Sequence, residues 1–309
     1  MQRRHFLHGA LGLGTTAMTA PSPARADGSG RTLASYYARH QVLVDGRAWA
    51  WRDEDTPQRQ LDDVRQVGVS RDACFALRDN GDLVTWADAA ARAAAPPRVL
   101  MRGAAAFAAG QSGWFAIDAA GVLWYAATGA APARAAEGVA SACIGDSADY
   151  YITRDGTLFA RGLAHRGQYG DGKLTATDRF VPTATEAVAV RAHTGHAIHL
   201  RRDGTVMGTG GNRFGPLSSH GLGDKADRWG PIFEGAVAIA TGSRHSLAVR
   251  ADGSLWAWGE GFEIAPRKIL DGVAEVAAGD TATLALTQRG ELLQWERGRG
   301  PRRVRLPPA

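Results

Sequence analysis

The sequence is short of lysine: only Lys173, Lys225 and Lys268 stand among its 36 basic residues. It has two cysteines, Cys74 and Cys143, in 309 residues, so no disulfide framework or cysteine zinc site can organise the fold. The two lie 69 residues apart in non-adjacent units, where buried small hydrophobes are the simpler expectation than a bridge. No stretch of 18 consecutive apolar residues occurs, so no integral membrane helix is expected. A phosphate-cradling glycine loop is missing too, and Ser243-Arg244-His245-Ser246 lacks the Gly-x-Ser-x-Gly form of a nucleophile elbow. No catalytic residue, no metal site and no cofactor are therefore expected.

Charge is modest as well. Residues 1–26 hold three arginines (Arg3, Arg4 and Arg25) and no acid, so without them the formal charge falls from +5 to +2. That is a weak footprint for nucleic acid, and none is expected as a partner. The one basic cluster, Arg297, Arg299, Arg302, Arg303 and Arg305, reads as a charged edge strand. Asp53-Glu54-Asp55 reads as a solvated loop.

What the chain does have begins at the N-terminus. Arg3-Arg4-His5-Phe6-Leu7 precedes a mildly apolar run and the small-residue ending Ala24-Arg25-Ala26. Charged start, short apolar stretch and small-x-small ending make a cleavable signal peptide over residues 1–26. The paired arginines resemble the twin-arginine export signal of bacteria. The mature chain is then expected to be residues 27–309, one domain, in the periplasm or outside the cell.

Glycine is abundant, 39 residues, and seven glycines recur in phase: Gly46, Gly81, Gly121, Gly156, Gly204, Gly253 and Gly290. Each follows a short apolar run, and each has Ala, Val or Leu two positions later and aromatics just beyond in most copies. The clearest copy runs from His245 to Gly259: strand, Asp252-Gly253 turn, strand. A glycine supplies the positive φ that such a turn needs. Seven units of roughly 40 residues each accommodate four short strands apiece. Leu255, Trp256, Ala257 and Trp258 are consecutive, so both faces of the sheet should be covered. Radially stacked sheets provide that cover, and a seven-bladed β-propeller of four-stranded antiparallel blades is the closed form; an open β-solenoid, whose repeats are usually shorter, is the alternative.

With these repeats, His245–Gly259, Gly162–Gly172 and Gly211–Gly215 resemble the regulator of chromosome condensation repeat family, in its exported bacterial branch. Val181-Pro182, Gly230-Pro231-Ile232 and Pro266–Ile269 match the familiar tail of the unit. The resemblance implies an all-β propeller whose ring is closed by its N- and C-terminal strands, here residues 33–44 and 301–306. It carries no single member's function with it.

Two further features invite a functional reading. His193, His196 and His199 are spaced by three, but in a strand odd spacing alternates faces, which argues against one metal site. Units 4 and 5 are longer than the others, and the surplus falls in 162–182 and 208–231. Those segments follow the same strand of consecutive blades and should project side by side. They carry His165, Arg166, Tyr169, Arg213, Phe214, His220 and Trp229, residue types enriched at interface hot spots. The expectation is a monomeric, non-enzymatic protein that binds a protein partner in the cell envelope through these loops. The alternative is a propeller enzyme acting on an extracytoplasmic substrate such as an envelope glycan.

Overall fold

In each unit two β-branched and aromatic runs flank a glycine turn, and in the computed structural model every such run is a strand. The structure describes residues 33–53, 55–87, 96–219, 223–280, 282–296 and 299–307. The signal segment, with Arg3, Arg4 and Ala26, and His220 lie outside the described residues. Among those described, 28 strands form seven four-stranded antiparallel sheets. Each sheet takes its strands from one continuous stretch: 33–61, 64–101, 104–136, 139–184, 187–233, 236–270 and 273–304, blades 1 to 7. The expected propeller is what forms.

All seven repeat glycines have positive φ, between +73° at Gly46 and +90° at Gly156. Where Asp or Asn precedes the glycine, its side chain usually caps the turn. Asp252 Oδ1 accepts from Ser254 N at 2.8 Å, and Asp203 Oδ1 accepts from Thr205 N at 2.9 Å. The units that lack this residue recruit another. Asp118 serves the Ala120-Gly121 turn, and Thr287 Oγ1 serves the Arg289-Gly290 turn.

These turns also join the blades. The carbonyls of Gly46, Gly81, Gly121, Gly156, Gly204 and Gly253 each accept from the first residue of the following blade, at 2.8–3.0 Å. Six junctions are built that way, and each is also bridged by the chain. The seventh, between blades 7 and 1, is built otherwise. Leu33 N donates to the Glu275 carboxylate at 2.9 Å. Gln294 Nε2 and Arg302 donate to the carbonyl of Asp53 at 2.9 and 2.7 Å. Leu33, Val42, Trp49 and Trp51 of blade 1 pack on Leu284, Leu292 and Val304 of blade 7.

The termini therefore meet, but not in one shared sheet. The C-terminal strand Arg302–Val304 is the outermost strand of blade 7, and Leu33–Tyr36 is the innermost of blade 1. Closure is face-to-face packing between complete blades. Of the arginine-rich end, Arg302 and Arg303 lie on this edge strand, Arg299 and Arg305 flank it, and Arg297 lies outside the described residues. Cys74 lies buried between blades 1 and 2 and Cys143 between blades 4 and 5; no disulfide joins them. Among the described residues no helix is long and apolar enough to cross a membrane.

Candidate functional site

In an antiparallel four-strand blade, the connections between strands one and two and between strands three and four emerge at the same end. The repeat glycines occupy the opposite end. The long segments of blades 4 and 5 are third-to-fourth connections, so they do share a face, as their positions in the repeat imply. Part of the extra length is strand: the outermost strands Thr177–Ala184 and Lys225–Phe233 have 8 and 9 residues, against 3 or 4 in the other blades.

The two long loops each reach onto the next blade. Gly172 N donates to Asp227 O at 2.8 Å, and Asp171 bridges to Arg228, so the blade 4 loop is stitched to the outermost strand of blade 5. A Cβ at Gly167 would stand 2.4 Å from Ala226 O, so only glycine permits that approach. The blade 5 loop seats Leu217 in the core beside Trp258 of blade 6. Pro216 O there accepts from Trp258 Nε1 at 2.8 Å and from Ser246 Oγ at 2.9 Å.

This interlocking divides the expected binding residues. Tyr169 is only 1% exposed; its hydroxyl donates to Gly162 O at 2.6 Å, and its ring sits in the blade 4 core. It is a packing residue, which corrects its assignment to the binding surface: the glycine-rich loop has few side chains of its own to bury, and Tyr169 fills its interior. Trp229 is half-buried, with its ring centred 4.4 Å from that of His199 and packed over Gly170. Most of it belongs to the blade. His165, Arg166, Arg213 and Phe214 are exposed on the loop face.

The exposed four do not stand alone. Among the described residues the exposed large hydrophobics are Val99, Leu163, Leu174, Phe214 and Ile264. Leu163 and Leu174 lie on the third-to-fourth connection of blade 4, Phe214 on that of blade 5 and Ile264 on that of blade 6. Phe214 is 37% exposed and lies under the Arg244 guanidinium at 4.3 Å, with Arg213 at 5.8 Å. Beside it opens a recess of about 490 Å³, whose charged lining is Arg166, Arg213, Lys225, Arg244 and Asp224. Arg166 lies across Gly195; a Cβ at position 195 would come within 3.0 Å of its guanidinium. Sequence reasoning missed Lys225, Arg244 and Ile264. Arg244 and Ile264 belong to blade 6, whose unit has ordinary length and gave no signal.

The histidines spaced by three are all buried and turn to different partners. His196 Nε2 meets Ser246 Oγ at 3.1 Å, across the junction with blade 6. His245 repeats the contact with Thr283 of blade 7 at 3.2 Å. His199 takes Trp229, and His193 Nδ1 sits 3.6 Å from Asp146 at the channel mouth, where its ring stacks on Tyr36. Burial pushes His40, His196 and His199 down to about 3, so they are neutral in the folded protein. It lowers His193 as well, with the Asp146 carboxylate opposing. Tyr36 donates to Asp146, and burial together with that carboxylate raises its hydroxyl. The channel itself encloses about 120 Å³, walled largely by alanine with some valine and isoleucine; its carboxylate, Glu275, is engaged by Leu33 N.

The fold is thus a seven-bladed ring that gathers apolar, aromatic and guanidinium groups on one loop face. Within it, residues 236–263 match the family model of the Regulator of chromosome condensation (RCC1) repeat. By sequence no curated protein matches. By structure, the chain resembles Prp20p of Saccharomyces cerevisiae, studied for its binding to Gsp1p and histones. The TM-score is 0.69 at 17% identity, over 82% of this chain and 81% of that one. The ectodomain of the Arabidopsis thaliana receptor kinase ACR4 gives 0.61 at 14%, over 91% of this chain and all of that one. PorZ, a bacterial surface component of the type-IX secretion system of Porphyromonas gingivalis, gives 0.59 at 12%, over 91% of this chain and 38% of PorZ. The chain is thus a seven-bladed propeller with a regulator of chromosome condensation repeat.

Proposed function

We propose that this protein is an exported, non-enzymatic propeller that docks a protein partner in the cell envelope through the loop face of blades 4 to 6. One observation carries the docking surface. Four of the five exposed large hydrophobics among the described residues lie on three consecutive third-to-fourth connections. Scattered exposed apolar side chains need no explanation, but a clustered set beside arginine and aromatic groups has interface composition. The rigid ring beneath holds those loops in place, which reduces the ordering cost of binding. Prp20p, a similar propeller, binds proteins, and PorZ stands at a bacterial surface. The envelope location rests on Arg3, Arg4 and the ending at Ala26.

A photo-crosslinking side chain at position 214 or 264 should capture the same envelope protein, and one at Val99 on blade 2 should not. Equal capture from all three positions would remove the docking surface. Changing Arg3 and Arg4 together to Lys should hold the protein in the cytoplasm; unimpaired export would sink the twin-arginine route.

A further inference from the structure

The docking face is not uniformly charged, and its recess has a distinct chemistry. Three guanidinium groups and one ammonium group, Arg166, Arg213, Arg244 and Lys225, line it together with the single acid Asp224. Arg244 is partly neutralised by Glu260 at 3.2 Å, and the others remain in excess. Without residues 1–26 the whole chain carries only +2, so this concentration of positive charge is local and not a reflection of composition. The apolar groups border the same recess. Phe214 lines it, and Ile264 packs beside Gly215, within about 3.1 Å of where its Cβ would be.

We propose that the recess takes the carboxylates of an acidic linear segment of the partner, an Asp/Glu-containing stretch with flanking apolar residues that cover Phe214 and Ile264. The assignment rests on the docking reading above and gives its partner a chemistry. Guanidinium groups match carboxylates with paired hydrogen bonds, and clustered arginines are a recurring means of reading acidic motifs. Arg166 is available for this work: its side chain lies over Gly195 and Gly211, its backbone N anchors the loop by donating to Gln168 Oε1 at 2.9 Å, and no ion pair engages its guanidinium among the described residues. At about 490 Å³ the recess has room for more than one side chain. A concave site suits an inserted chain, whereas a flat lipid surface would meet only the rim.

The test is selection of a displayed random peptide library on the full mature protein. Enriched peptides should gain Asp and Glu over the input. That gain should vanish on the Arg166→Gln, Arg213→Gln double variant, and the best acidic peptide should bind it about tenfold or more weakly. Lys225→Gln should weaken the same peptide to a smaller degree, and Arg98→Gln on the outermost strand of blade 2 should bind as wild type. All the altered side chains are exposed, and unchanged thermal unfolding establishes that the variants fold. Neutral or basic enriched peptides, or an acidic preference that survives the double variant, would overturn the proposal. So would binding of phosphatidylglycerol vesicles or a single-stranded oligonucleotide with no peptide selected. If crosslinking from position 214 persists in the double variant, the docking surface stands and only the acidic segment is lost.

Discussion

Lowering the pH from about 7.5 to about 5 should destabilise this protein steeply, through its buried histidines. His40, His196 and His199 are held down to about 3 by burial, with Arg302 adding to the effect at His40 and Arg201 at His199. In the unfolded chain each returns to an ordinary value near 6.5. Between those limits the unfolded state binds more protons than the folded one, so stability rises with pH across the window and falls as acid is added. At about pH 5 each unfolded histidine gains roughly 2 kcal/mol from protonation, about 6 kcal/mol for the three together. Domains of ordinary stability have about 5–15 kcal/mol in total. His193 acts in the same direction. The turn carboxyls Asp203 and Asp252 act in another window, because turn donors hold them below the usual range and their contribution is lost only in stronger acid. Denaturant titrations at several pH values read the slope directly. His196→Gln, which can still reach Ser246, should reduce proton uptake on unfolding by about one. Stability that is flat or rising toward about pH 5 would refute neutral burial of these rings.

Gly253→Val should cost on the order of 1–3 kcal/mol by thermal or chemical unfolding, because φ there is +80°; Ala251→Val on the same turn, exposed, is the comparison that should stay near wild type. Ser254→Val is no neutral comparison, since Ser254 is buried and bonds both Asp252 and Trp256. Deleting residues 301–309 removes the outermost strand of blade 7 and the buried Val304, worth about 1.5–3 kcal/mol as a side chain. It should lower the melting temperature and raise aggregation from the bared edge; an unchanged melting temperature would mean blade 7 closes the ring without it. Tyr169→Ala should lose roughly 3–5 kcal/mol of stability. Phe214→Ala should leave unfolding nearly unchanged and cost about 2 kcal/mol or more in partner affinity, and a reversal of that pair would reassign both rings.

The repeat was legible because each unit encodes itself. Asp252-Gly253 fixes a turn, Leu255–Trp258 fixes a two-sided strand, and seven copies in phase leave a ring of blades as the natural way to cover both faces. Local chemistry decides such things, so the seven positive-φ glycines and the four-stranded blades are readable in the sequence. The placement of the long loops on one face followed from their position in the unit. Exposure did not follow. Tyr169 and Phe214 occupy similar glycine-rich loops, yet one fills its loop's interior and the other faces solvent. The difference lies in what the next blade presents: the outermost strand of blade 5 against the first loop, and Trp258 and Arg244 of blade 6 against the second. Arg244 and Ile264 joined the site from a unit with no unusual length. That the two ends close the ring followed from the family resemblance, but how they do so was a tertiary decision, since Leu33 and Glu275 are 242 residues apart and only the completed circle brings them together. Sequence periodicity set the blades; which side chains remained outside was set by how each blade's loops land on its neighbour.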